Sequence, residues 1–369
     1  MALARGAPVM LHTQLHISLL LYQLHFPAAL LANNGPKNVI HSNDFWLPGE
    51  VLPVHYNLSL QVNMEDFTTE GEVSILLDVV KPTKQITLHV HPDILLVKLD
   101  EVKVRDMDGI EGLVQGHELD TEKQFYTVKL VYAPVTGSKL VLVIPFKGLV
   151  RGGRNATNST QWEKKKKGLY KSDDGLGGVM AVTQLQSMYA RSAFPCFDEP
   201  RLKATFMLKL GRAKEYRTRS NTAVREEGTE LVGKPGYFWD TYTITPVMST
   251  YLLAWAVFNS TINSTSSTSA RGVEIQAFYK NVTLMEHAAL ICAKQLDYFE
   301  QNVFVGINYN LSKLDIVTVP EFAASAMENW GMFTFQTMAV IYAETGRDTF
   351  TVSKDDTMAH ELVKYSIDM

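Results

Sequence analysis

The chain has 369 residues, 46% of them hydrophobic, and a formal net charge of -4. That length allows two or three domains with filled cores, while the mild acidity and the lack of a basic face argue against nucleic acid as a partner. Only two cysteines occur, Cys196 and Cys292, so no disulfide framework is expected, and a chain of this size needs none.

In chain order, Arg5 precedes an apolar stretch from Leu15 to Ala32, which Gln23, His25 and Pro27 interrupt. Residues 1–32 therefore read as a signal peptide or a signal anchor, with 33–45 as a linker. Either form directs the rest of the chain into the secretory pathway, to an extracellular or cell-surface membrane location. Membrane attachment is possible, its mode being left open.

Residues 46–258 read as one antiparallel β-sandwich or saddle domain. Short runs alternate with a period of two, as in Tyr56, Leu58, Leu60 and Val62, and again in Val73, Ile75, Leu77 and Val79. Further runs lie at Ile86, Leu88 and Val90, at Leu140 to Ile144, and at Ala204, Phe206, Leu208 and Leu210. The charge run Lys164 to Lys167 reads as a solvated loop. The Ser/Thr/Asn-rich stretch 259–269 marks a boundary, and residues 259–369 form a second, α+β unit. In it, Val273 to Tyr279 is strand-like, and Leu284 to Val303 has helical spacing at Ala289, Cys292, Leu296 and Phe299. Leu314 to Val319 and Met332 to Phe335 read as strands, and Ser353 or Asp355 is the expected start of a final helix. The fold class is mainly β with an incomplete α+β second part.

Seven N-x-S/T sequons, at Asn57, Asn155, Asn158, Asn259, Asn263, Asn281 and Asn310, fit a glycoprotein of the secretory lumen. Asn57 fits least well, because it falls inside a strand-like alternation.

The chemistry is concentrated near the end, where Ala359 to Met369 read A-H-E-L-V-K-Y-S-I-D-M. His360 and Glu361 open an H-E-x-x-H pattern, in which two histidines four apart share a helical face and the glutamate is a general base. The fifth position is Lys364, whose ammonium has three donors and no lone pair for a metal.

Upstream, Glu321 to Gly331 read E-F-A-A-S-A-M-E-N-W-G, whose S-A-M-E-N core is similar to the G-A-M-E-N box of the aminopeptidase N family of zinc aminopeptidases. Thr183-Gln184-Leu185-Gln186 with Ala190 to Pro200 (A-R-S-A-F-P-C-F-D-E-P) also resembles that family. So do Gly168 to Ser172 and Pro246 to Leu252, in the same order. The resemblance covers residues 45 to 362.

The resemblance implies a zinc-dependent removal of N-terminal residues from peptides, with a free N-terminus as the recognised group. It places His360 as a zinc ligand and Glu361 as the base. Glu328 becomes the anchor for the substrate ammonium, with Gln184 and Gln186 reaching into the same cleft. Ser325, Ala326 and Met327 would line the extended substrate, Ser325 adding a side chain where the family has glycine. Gln186 stands where the family commonly has glutamate, one negative charge fewer. Asp198, Glu199 and Cys196 read as structural. In fold terms, 259–369 becomes the first lobe of a thermolysin-like catalytic domain.

The second histidine, the glutamate ligand and the catalytic tyrosine of the family are not in this sequence. The expectation is a chain truncated within the zinc helix, with an incomplete zinc site, exposed apolar surface and no turnover of its own. The other reading is a non-catalytic secreted or cell-surface β-sandwich module that binds peptides or proteins.

Overall fold

The computed structural model describes residues 45–152, 166–173, 178–342 and 349–368. The described residues from Trp46 onward belong to one compact unit, Trp46–Met369. The leader or anchor expected over residues 1–32, its linker, and the sequons at Asn155 and Asn158 lie outside the described residues. Among the described residues no helix is long and apolar enough to cross a membrane.

The alternating runs become strands. In Val51–Asn63 from Tyr56 onward, and in Thr68–Val79 from Val73 onward, each second residue is buried, including Tyr56, Leu58, Leu60, Val73, Ile75 and Leu77. A strand with one face on the core and one toward water needs this two-residue period, and burial of each large apolar side chain contributes about 1.5–3 kcal/mol. These strands are central in an eight-stranded sheet, flanked by Lys139–Leu149 on one side and Thr205–Ala213 on the other. One ladder departs from the antiparallel expectation: Val51–Asn63 pairs in parallel with Thr205–Ala213, Tyr56 opposite Phe206.

A four-stranded antiparallel sheet comprises Tyr216–Ser220, Trp255–Asn259, Val179–Gln184 and Gly168–Asp173 in that order. A small antiparallel sheet joins Gln85–His89, Phe125–Leu130 and Val114–Asp120. The five-stranded mixed sheet that carries the site runs Asn263–Thr268, Glu274–Tyr279, Lys313–Val319, Met332–Gln336 and Ala326–Met327. Its middle strand, Lys313–Val319, is buried along its whole length. A continuous apolar cluster, including Tyr170, Val182, Phe258, Phe278, Val317 and Met332, joins this sheet to the four-stranded one.

Two helices pack on the site sheet side. The first, α1, spans Glu286–Asn302 and buries Ala289, Cys292, Leu296 and Phe299, the spacing expected from the sequence. The second, α2, spans Thr349–Asp368. It begins before Ser353 and Asp355, so neither starts the helix. Asp355 instead ties α2 to its neighbours: its carboxylate accepts from Tyr342 Oη at 2.9 Å and meets His287 Nε2 at 3.2 Å, and its carbonyl accepts from Gln295 Nε2 at 2.8 Å.

Two polar segments are more ordered than their composition suggests. Within the Ser/Thr-rich stretch, Asn263–Thr268 is an edge strand, because Glu274–Tyr279 offers it six register partners across a hairpin. Lys166 and Lys167 are half-buried rather than solvated. Lys166 pairs with Glu321 at 2.7 Å, and Lys167 donates to the Gln186 carbonyl at 3.4 Å. Of the described sequons, Asn57, Asn263, Asn281 and Asn310 are exposed and Asn259 is half-buried. Asn57 lies mid-strand, its Oδ1 3.0 Å from His55 Nε2.

The F-P-C-F-D-E-P segment is packed as structure. Arg191 Nε donates to Asp198 at 3.0 Å, Phe197 N–H donates to the Tyr56 hydroxyl at 3.1 Å, and Glu199 accepts from the Leu47 amide. Cys196 is a buried free thiol. His89, 1% exposed, accepts from Asp198 N–H through Nδ1 at 3.2 Å.

Burial, aided by the nearby Arg191 charge, lowers the His89 pKa to about 2. The unfolded chain gains this proton near its ordinary pKa of about 6.5, and the folded chain does not until far lower pH. Stability from His89 is therefore fully present above about pH 6.5 and is lost as pH falls below it, by at most about 1.4 kcal/mol per pH unit. Urea unfolding between pH 7 and pH 4 should show a shallower decline for His89→Gln, which keeps an acceptor for the Asp198 amide. Equal slopes in the two proteins would contradict this.

Candidate active site

The site is built around one turn. Ala326–Met327 pairs antiparallel with Met332–Gln336, Ala326 opposite Phe335 and Met327 opposite Thr334. The four residues between, Glu328 to Gly331, reverse the chain and carry the key carboxylate inward, leaving Glu328 only 1% exposed. Gly331 has φ +84°, a left-handed conformation that favours glycine. A Cβ there would lie 2.0 Å from the Asn221 carbonyl oxygen.

Side chains distant in sequence hold this turn. Asn221 Nδ2 donates to the Trp330 and Leu252 carbonyls, each at 2.8 Å, and its Oδ1 accepts from Ala254 N–H at 2.8 Å. Lys313 Nζ donates to the Gly331 carbonyl at 2.9 Å, to Asp315 Oδ2 at 2.7 Å and to the Ser220 carbonyl. Burial lowers the Lys313 pKa and raises that of Asp315, and each opposes the other's shift by its charge. Asn329 Nδ2 donates to the Met332 carbonyl at 3.2 Å, while its Oδ1 is buried without a hydrogen-bond partner.

α2 brings its H-E pair to this turn. Glu361 is 3% exposed and His360 is half-buried. Glu361 faces Glu328, and its pKa rises well above the usual carboxylate range. Burial is the largest cause, the Glu328 charge and hydrogen bond add to it, and the Lys364 charge opposes it. The other oxygen of Glu361, Oε2, is buried without a partner. For His360, burial and then the Lys364 charge lower the pKa, against the opposing Glu328 charge. Lys364 reaches the same point: its Nζ donates to Glu328 Oε2 at 2.9 Å.

The structure thus brings His360, Glu361, Glu328 and Lys364 together. Gln184 ends the strand Val179–Gln184 with a buried Oε1 that has no hydrogen-bond partner. Gln186 is half-buried just beyond, followed by a cis peptide bond to Ser187. Ser325 is exposed, Ala326 half-buried and Met327 buried, so along this short edge the side chain of Met327 packs into the core. The Ser325 carbonyl is used by Gln336 N–H at 2.9 Å. Sequence reasoning missed Asn221, Lys313 and Asp315. The only hint was polar residues inside otherwise apolar strand patterns. It flagged Lys364 but not its partner.

Residues 52–252 match the Peptidase M1 N-terminal domain, and residues 288–365 match the Peptidase family M1 domain. The chain belongs to the peptidase M1 family. The match in the second M1 domain continues to residue 365, past the Leu362 at which the sequence resemblance stops. The chain is similar to glutamyl aminopeptidase of Sus scrofa, 31% identical over 328 residues, covering 87% of this chain and 33% of that protein. It is similar to endoplasmic reticulum aminopeptidase 1 of Rattus norvegicus, 28% identical over 323 residues, 87% of this chain and 33% of the relative. It is also similar to the thyrotropin-releasing hormone-degrading ectoenzyme of Rattus norvegicus, 31% identical over 297 residues, 78% and 26% of the two chains. This M1 chain spans about a third of the length of the first two of these relatives and about a quarter of the third.

The zinc implied by the resemblance can be tested on the donor set. Among the described residues no group of three His, Cys, Asp or Glu side chains is placed to hold a metal ion. A catalytic zinc takes three protein ligands and keeps one position open. Here the position four residues after His360 carries an ammonium, itself held by Glu328 at 2.9 Å. The residues present do not fit a catalytic zinc.

Proposed function

We propose that this chain carries the amino-terminus-recognition part of an M1 aminopeptidase, binding peptides that have a free N-terminus, and that it does not hydrolyse them by itself. The observation that supports this reading is the buried carboxylate of Glu328, held at the head of a clamped turn with a cation already against it. A carboxylate so placed suits an ammonium, and a charge-assisted hydrogen bond of this kind contributes about 1.5–3 kcal/mol. Gln184, with its unpartnered buried oxygen, is the second acceptor in this proposal. Gln186, Ser325 and Ala326 border the peptide chain beyond its first residue.

Glu361 would be the base and His360 one metal ligand in a complete site. Lys364 stands where a second ligand would be needed, so the donor set for a hydrolytic step is incomplete. The proposal divides the chain into a β domain over 46–258 and a catalytic lobe over 259–369. It assigns the protein to the secretory pathway, supported by the apolar N-terminal stretch and the exposed sequons.

The test is binding of trialaninamide against its N-acetylated form by calorimetry, with zinc content and aminoacyl-chromogen hydrolysis measured on the same sample. The unaltered chain should prefer the free amine, contain less than one zinc and show no chelator-sensitive turnover. Glu328→Gln should lose the preference, about 10- to 100-fold in affinity for the free amine. A preference retained by Glu328→Gln, or chelator-sensitive turnover by the unaltered chain, refutes the proposal.

A further inference from the structure

The cation seated on Glu328 belongs to the chain itself. Lys364 lies one helical turn beyond His360, and its side chain, 32% exposed, reaches from α2 to a carboxylate whose side chain is 1% exposed. The Glu328 Oε2 atom that accepts it at 2.9 Å is the atom a peptide ammonium needs. A primary ammonium on a flexible four-carbon stem is chemically the same donor as an amino terminus: three N–H groups and one charge.

We infer that Lys364 is a specificity-determining residue of the amine site, an internal ammonium that competes with the amino terminus of a peptide for Glu328. The inference rests on the amine-binding reading above. Three observations carry it. The ion pair joins the two segments that form the site. The partial exposure of Lys364 leaves it a route to water when displaced. The oxygen Oε2 of Glu361, the residue that faces Glu328, is buried without a hydrogen-bond partner, as are Asn329 Oδ1 on the same turn and Gln184 Oε1, so acceptors remain for a ligand with more donors than the lysine supplies.

Competition of this kind lowers apparent affinity by the fraction of molecules in which Glu328 is free. A ligand that is monovalent and charged but lacks a further anchor should exchange poorly with Lys364. A peptide amine that also reaches the unpartnered oxygens should displace it. Lys364 therefore filters amines by what lies beyond the charged nitrogen.

The experiment uses the full chain and Lys364→Met, which keeps the stem and removes the charge, with trialaninamide, N-acetyl-trialaninamide and methylammonium as probes. Lys364→Met should bind trialaninamide about tenfold or more tightly than the unaltered chain. It should also gain measurable binding of methylammonium, while the acetylated peptide binds neither protein better. Free-amine preference in both proteins without a gain in Lys364→Met overturns the inference and leaves the amine reading standing. Indifference to acetylation in both proteins overturns the amine reading itself. Should Lys364→Met fail to fold, brief reductive methylation of the unaltered chain decides instead. Lys364 should be modified more slowly than the exposed Lys103, and several-fold faster once trialaninamide saturates the site. No acceleration under saturation overturns the inference.

Discussion

Gly331→Ala is expected to destabilise the protein by about 3–5 kcal/mol and to abolish free-amine binding. The left-handed backbone at this residue alone costs a non-glycine side chain about 1–3 kcal/mol. The added methyl would also meet the Asn221 carbonyl oxygen at 2.0 Å and the Leu311 side chain at 2.7 Å. The first is backbone and cannot swing aside as a side-chain end can, so the turn must shift, and overpacking of this sort costs a further ~1–3 kcal/mol. Glu328 sits three residues earlier on the same turn, so the shift separates it from Glu361 and Lys364. Urea unfolding of Gly331→Ala, together with calorimetry of trialaninamide binding, checks both effects. A variant within about 0.5 kcal/mol of the unaltered chain would show that the turn is slack.

The second large effect is expected at Lys313→Met. Removing the ammonium leaves Asp315, itself buried, with an uncompensated charge, and strips the Gly331 and Ser220 carbonyls of a donor. Breaking a buried ion pair in this one-sided way costs about 3–5 kcal/mol. Replacing both partners with apolar groups of similar size is far less damaging. The double variant Lys313→Met/Asp315→Leu should therefore recover a large part of the loss in urea unfolding. If the double variant is less stable than Lys313→Met, the pair is not the source of the stability.

Much of the fold was legible because strand burial has a fixed period. Tyr56, Leu58, Leu60 and Val62 announced one buried face, and the sheet uses that face. The helix Glu286–Asn302 was equally plain from Ala289, Cys292, Leu296 and Phe299. Where a residue served a distant partner, local patterns misled. Asp355 has the chemistry of a helix start, but His287 and Tyr342 claim its carboxylate, and the helix begins earlier. The polar Asn263–Thr268 has the composition of a loop, yet pairing with Glu274–Tyr279 makes it an edge strand, where polar side chains carry little penalty. The parallel pairing of Val51–Asn63 with Thr205–Ala213 leaves no mark in either segment.

The site divides in the same way. Glu328, His360 and Glu361 stood out in short motifs, the S-A-M-E-N core and the H-E pair, and the structure brings these three side chains together. Lys364 was visible as a misfit, but its pairing with Glu328 bridges 36 positions. Lys313 and Asn221 act across 93 and 109 positions on backbone oxygens, which exist at every residue and so leave no signature in sequence.

The grip of Asn221 on the Trp330 carbonyl also has a consequence for the order of assembly. Asn221 follows the strand Tyr216–Ser220 and holds the Leu252 and Ala254 backbone at the same time. These partners leave the ribosome well before Trp330 does. Contacts between segments far apart in sequence form only after the intervening chain has closed its own loops. The β-rich part can thus be complete, with its carboxamide already oriented, when the turn bearing Glu328 arrives. The Glu328 carboxylate is moulded late, on a template made early, and substitutions around Leu252 can displace it during synthesis without touching it.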